Sequence, residues 1–139
     1  MRMKSVGLRS VLGIAVICAV VATVPMWAHH SHGAYEDTFM DIEGVVKEVH
    51  LVVPHSWIYL ELKDRKGGEP QVWALEATGR TGLQKTGVTP DYVKVGDAVK
   101  ARCHHLRDGS NGCLLGFLKA KDGTVKDWDG NNAPPPADF

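Results

Sequence analysis

The 139-residue sequence has no excess of either charge, with 16 Lys and Arg against 16 Asp and Glu. A nucleic-acid partner needs a surplus of cations to displace phosphate counterions, so the simplest argument for one is missing. Also missing are a G-x-S-x-G elbow, a P-loop and a dinucleotide fingerprint. The nearest approach to an anion loop, Thr78-Gly79-Arg80-Thr81-Gly82, reads as a turn. Ser31 and Ser56 each adjoin a histidine, but adjacency does not make a nucleophile and its base. Glu61 and Glu76, on neighbouring predicted strands, read as solvated side chains before an acid–base pair. The chain is also too short for an enzyme with a separate cofactor domain. The expectation is therefore a non-catalytic protein.

Acidic residues are absent from the first 28 positions, which hold Arg2, Lys4 and Arg9. Residues 11–24 form a charge-free apolar run of the length of a secretory signal core. Pro25 interrupts it, and Met26-Trp27-Ala28 ends on a small residue. Cleavage after Ala28 is expected, and a cut after Ala22 would fall inside the run. The alternative is an uncleaved anchor, because residues 10–28 give 19 uncharged positions, near the lower limit for crossing a bilayer. Export to the periplasm follows from either reading. Without the leader the balance is 13 basic against 16 acidic residues, a net −3 over 111 residues.

Cysteine is scarce, at three residues, and Cys18 falls within the leader without the pattern of a lipoprotein signal. In an oxidising compartment the other two read as a pair. Cys103 and Cys113 flank a stretch with Asp108-Gly109 and Asn111-Gly112, and a turn centred on Asp108 sets them opposite each other. A disulfide there would stabilise by about 2–3 kcal/mol. The alternative, two thiolate ligands with His104 or His105, fails once the pair is oxidised.

Residues 38–51, 55–63, 71–77, 97–106 and 113–121 are rich in Val, Ile, Leu or aromatic side chains and are separated by Gly, Pro, Asp and Asn. Only residues 80–86, between the third and fourth strands, suit a short helix. This order predicts an all-β fold, a small five-stranded OB-like barrel with one short helical connection between strands 3 and 4. An open β-sandwich is the alternative. The expected organisation is a signal at 1–28, a His-rich segment at 29–38, the barrel at 39–128 and a disordered or extended Pro-rich tail at 129–139.

Alternation in the second strand puts Ile58, Leu60 and Leu62 toward the core and His55, Trp57, Tyr59 and Glu61 on the outer face. Trp73 is expected beside them, completing a face for an apolar small ligand, a peptide or a periplasmic or inner-membrane protein. The bland alternative is that the N-terminal segment or the connection near Leu83 covers Trp57 and Tyr59. The other candidate chemistry is histidine. Cleavage after Ala28 would leave His29-His30-Ser31-His32 at the terminus, where an amine and imidazoles suit Cu(II), the leader of the divalent affinity series. His55 is the natural further ligand. His104 and His105 are adjacent in a strand and should point to opposite faces, so at most one can join a shared site. Against the metal reading stands a plain polar leader with a strand-capping His55.

Ala28-His29-His30-Ser31, FMDIEGVVKEV at 39–49, Pro54-His55 with Trp57-Ile58-Tyr59-Leu60, Trp73-Ala74-Leu75-Glu76 and Val95-Gly96-Asp97-Ala98-Val99 occur in an order that resembles the small exported bacterial proteins of domain of unknown function 6152. The resemblance runs from 29 to about 125 and implies a periplasmic β-barrel without an assigned reaction. Two positions depart from that pattern, with Val53 in place of an Asn before Pro-His and Val88 in place of a Trp. If the Asn orients the histidine, its loss weakens a site built on His55. The cysteine pair looks particular to this chain.

Overall fold

The computed structural model describes residues 32–139, so the signal segment, His29, His30 and Ser31 lie outside the described residues. Six strands follow a short 3-10 turn at His32–Ala34: β1 Tyr35–His50, β2 His55–Leu62, β3 Gln71–Thr78, β4 Ala98–Leu106, β5 Gly112–Lys119 and β6 Val125–Asp127. Among the described residues a single α-helix, α1 at Arg80–Lys85, connects β3 to β4. The sheet runs β3-β2-β1-β4-β5-β6, and β3 also pairs with β5. That last ladder is parallel, and it closes β1–β5 into the five-stranded OB-type barrel expected from the strand order. Among the described residues no helix is long and apolar enough to cross a membrane.

β1 is long because it serves two neighbours. Residues 35–45 pair with β4, and residues 45–50 pair with β2. Where the two ladders meet, a Cβ on Gly44 would come within 2.7 Å of the Glu61 carbonyl oxygen, so only glycine allows this approach. A register shift between Val46 and Glu48 then turns the strand onto β2. The hydrophobic pattern of 38–51 missed the first three residues of β1, because Glu36 and Asp37 are exposed and Tyr35 alone is buried.

The interior follows strand alternation. Ile42, Val46, Ile58, Leu60, Leu75, Leu115 and Leu118 form the core with Trp128. α1 contributes Leu83, fully buried in the same cluster, so this connection packs into the barrel core. β6 is a strand the sequence did not announce. It pairs with Phe117–Lys119 and delivers Trp128, whose backbone N–H donates to the Gly116 carbonyl and whose carbonyl accepts from the Thr78 backbone N–H.

The Cys103–Cys113 disulfide is formed, with a Cα–Cα distance of 5.7 Å. The two residues are not opposite each other, however: Cys113 pairs with His105, and Cys103 with Leu115. The turn is centred on Gly109 instead of Asp108, and moving a hairpin centre by one residue shifts every partner by two. Both cysteines still face inward, because a shift of two preserves the side-chain face. The barrel and the Pro-rich end belong to one unit that runs to Phe139. Ala133 N–H donates to Asp127 Oδ2, Arg102 donates to Asp138, and the Phe139 ring centre lies 4.8 Å from Lys100 Nζ.

Candidate functional site

The outer face of β2 holds His55, Trp57, Tyr59 and Glu61, all partly exposed, as alternation requires. Trp73 is not with them. It pairs directly with the core residue Leu60, packs against the core and stacks on His105 at a ring distance of 5.0 Å. The correction follows from register: Trp73 shares the face of Leu75 and Ala77, whereas Val72, Ala74 and Glu76 share that of Trp57 and Tyr59. Ser56 is fully buried and its hydroxyl donates to the Val52 carbonyl, so it points away from His55. Glu61 forms an ion pair with Lys47 and stands opposite Val72, while Glu76 stands opposite Trp57. Four residues of strand, about 13 Å, separate the two glutamates, and they make no carboxylate pair.

Glu76 instead organises the region. Its Oε1 lies 2.8 Å from His55 Nδ1, and its Oε2 accepts a 2.5 Å hydrogen bond from the Tyr35 hydroxyl. Both carboxylate oxygens are therefore used, one by each neighbour. Tyr35 is buried, and this burial together with the adjacent Glu76 carboxylate pushes its phenol well above the ordinary tyrosine range. It stays a donor across physiological pH. Nδ1 of His55 is thereby engaged by Glu76, which fixes the orientation of the ring. Val53 is exposed, and Glu76 is one of the groups that orient His55.

Register extends the region around the barrel. Trp57 pairs with Glu76, Glu76 with Leu114, Leu114 with His104, and His104 with Phe39. These five residues form one row over the outer surface of β2, β3, β5, β4 and β1. His104 packs on Phe39 at a ring distance of 4.0 Å, while its neighbour His105 stacks on Trp73 on the other face. The two histidines thus point to opposite faces, as the strand requires. Among the described residues no three His, Cys, Asp or Glu side chains are grouped to hold a metal ion. The expected ligands His29 and His30 lie outside the described residues, and His32 opens the turn that leads directly to Tyr35.

Sequence reasoning missed Tyr35 as the partner of Glu76, and Phe39 and His104 as members of this surface. The signal for Tyr35 was a lone aromatic in an acidic stretch, and for Phe39 and His104 it was their places on two strands whose register had to be known.

Among curated proteins none matches the chain. Two crystal structures of a mitochondrial single-stranded DNA binding protein of S. cerevisiae, Rim1, are similar in fold, the second being of selenomethionine-labelled protein. They are 12% and 11% identical, with TM-scores of 0.47 and 0.45, and in each case 61% of this chain covers 94% of the other. With residues 15–115 matched, the chain belongs to the family of unknown function DUF6152.

Proposed function

We infer that this small β-barrel is an exported, non-catalytic binding module of the periplasm that takes up Cu(II) through its N-terminal histidines and His55. The observation that carries the reading is the Tyr35–Glu76–His55 chain. A carboxylate on Nδ1 of a histidine fixes the ring and raises the basicity of the other nitrogen, the arrangement that supports metal-ligating imidazoles. Tyr35 in turn orients the carboxylate. Tyr35 is also only three residues after His32, so the backbone that carries the histidines is tied to the partner of His55. The remaining ligands come from the terminal amine and from His29, His30 or His32, a nitrogen set suited to Cu(II). Native mass spectrometry of the exported protein tests this. One Cu(II) on a chain beginning at His29, with binding sharply weakened by His55→Ala or by one extra N-terminal residue, supports it. Equal copper uptake by the processed and extended forms contradicts the terminal-amine ligand.

A second reading draws on Trp57 and Tyr59. Both are partly exposed on the outer face of β2, and His50 meets Tyr59 edge-on at 5.8 Å. An amphipathic aromatic row of this kind suits an apolar ligand, a peptide or a membrane-bound partner. In that case Trp57→Ala abolishes capture of the partner from a periplasmic extract while leaving copper binding unchanged.

A further inference from the structure

Beyond the Glu76 region, the row of outer residues ends in a cleft of about 230 Å³ between β5, Phe39 and the segment after β6. Its apolar walls are Phe39, Leu114 and Phe117. Gly116 makes the cleft possible, because a Cβ there would come within 2.8 Å of the Phe39 ring. Three polar features point into one kind of ligand. The Nδ1 atom of His104, which lines the cleft, is buried and has no hydrogen-bond partner among the described residues. Asp127, also lining it, is 5% exposed and is met by two backbone N–H groups, those of Asp129 and Ala133. Asp129 is bonded to the Asn131 amide. Among the described residues neither carboxylate has a Lys, Arg or His partner, and no Lys or Arg lines the cleft.

A buried carboxylate without a counter-cation is costly. Two backbone bonds leave part of its acceptor capacity unused. Aromatic faces add further negative potential, and His104 Nδ1 is an acceptor in the tautomer that carries its proton on Nε2. The cleft therefore offers acceptors and π faces and no cationic donor. We propose that it binds a small organic ammonium ion, with the ammonium group between His104 Nδ1 and the Asp127 and Asp129 carboxylates and an apolar body against Phe39, Leu114 and Phe117. The volume falls below the roughly 300–1,000 Å³ of sites for drug-sized ligands, which restricts the ligand to a compact amine. This site is independent of the copper reading, since it uses neither His55 nor the N-terminal histidines.

The test is an NMR titration of the full exported chain with benzylammonium chloride, using benzyl alcohol as the uncharged isostere at matched ionic strength. The expected result is saturable shifts of the His104 ring nitrogens and of the amides of 127–133. Benzylammonium should bind about tenfold more tightly than the alcohol. Asp129→Asn, at an exposed position that leaves the fold intact, should remove most of that preference, and Phe39→Leu should weaken both ligands. Equal binding of the two probes overturns the proposal, as does an Asp129→Asn variant with its preference unchanged. Shifts that never saturate, or that report a water-sized change at His104 alone, overturn it too.

Discussion

Two outer faces of one barrel behave differently. On β2, the side chains of His55, Trp57, Tyr59 and Glu61 stand in one row on the outer face, each partly exposed. On β5 and β4, Leu114 and His104 lie beneath Phe39 and the segment 127–133, which arrive from opposite ends of the chain. The first face is built from one strand and its neighbour, so its membership follows from a period of two. The second is built by residues separated by nearly the whole domain, and it exists because the sheet order sets β1, β4, β5 and β6 side by side. A local pattern tells which way a side chain points, whereas a site depends on what the topology brings over it.

The strongest way to break this contrast is to remove the anchor of the covering segment. Trp128→Ala should cost about 3–5 kcal/mol in a urea unfolding experiment. In conditions where the variant is folded, amide exchange should accelerate at 127–133 while β2 and β3 stay protected. Equal acceleration on both faces would mean that they unfold as one unit. The disulfide acts on the whole barrel and not on one face. Replacing Cys103 and Cys113 with Ser should lower stability by about 2–3 kcal/mol without changing Cu(II) uptake, measured by denaturation and by metal titration.

Gly116→Ala addresses the covered face alone. The added methyl meets the Phe39 ring, so a cost of about 1–3 kcal/mol should accompany shifted Phe39 and His104 resonances, with those of Tyr59 unmoved. Trp57→Ala is the counterpart on the open face, expected to cost less than about 1 kcal/mol. The smallest effect is electrostatic. Arg102, with Lys100, holds the Asp41 carboxyl down at about 2, below its ordinary value. Its contribution is therefore present above the unfolded-state value near 3.8 and lost as pH falls through about 2. Asp41→Asn should remove that part of the acid dependence, giving a slightly flatter stability curve between these values.

How far the sequence could be read follows the same division. Strand order and the single helical connection predicted the barrel, because turn residues and β-rich runs alternate along 38–121. The hairpin centre was misplaced by one residue, since Asp108-Gly109 and Asn111-Gly112 both favour turns and only Gly109 takes the left-handed conformation of the two glycines. Trp73 was given the wrong face because alternation within β3 has to be counted from its buried end, at Leu75 and Ala77. His55 was singled out from Pro54-His55, but its partner Glu76 lies on the next strand and Tyr35 lies 41 residues before Glu76. No spacing rule links those three. β6 was invisible for another reason: three residues with a single apolar side chain carry no periodicity.

The central claim is that Glu76 prepares His55 as a copper ligand alongside the N-terminal histidines. Pulsed EPR of the exported protein loaded with one equivalent of Cu(II) tests it most directly, comparing the native chain with His55→Ala and Glu76→Gln. The account predicts imidazole modulation that loses one nitrogen donor in His55→Ala. It also predicts affinity reduced by about ten- to a hundredfold in Glu76→Gln, the usual weight of a carboxylate behind a metal-bound histidine. Identical spectra and affinities for all three proteins would contradict it.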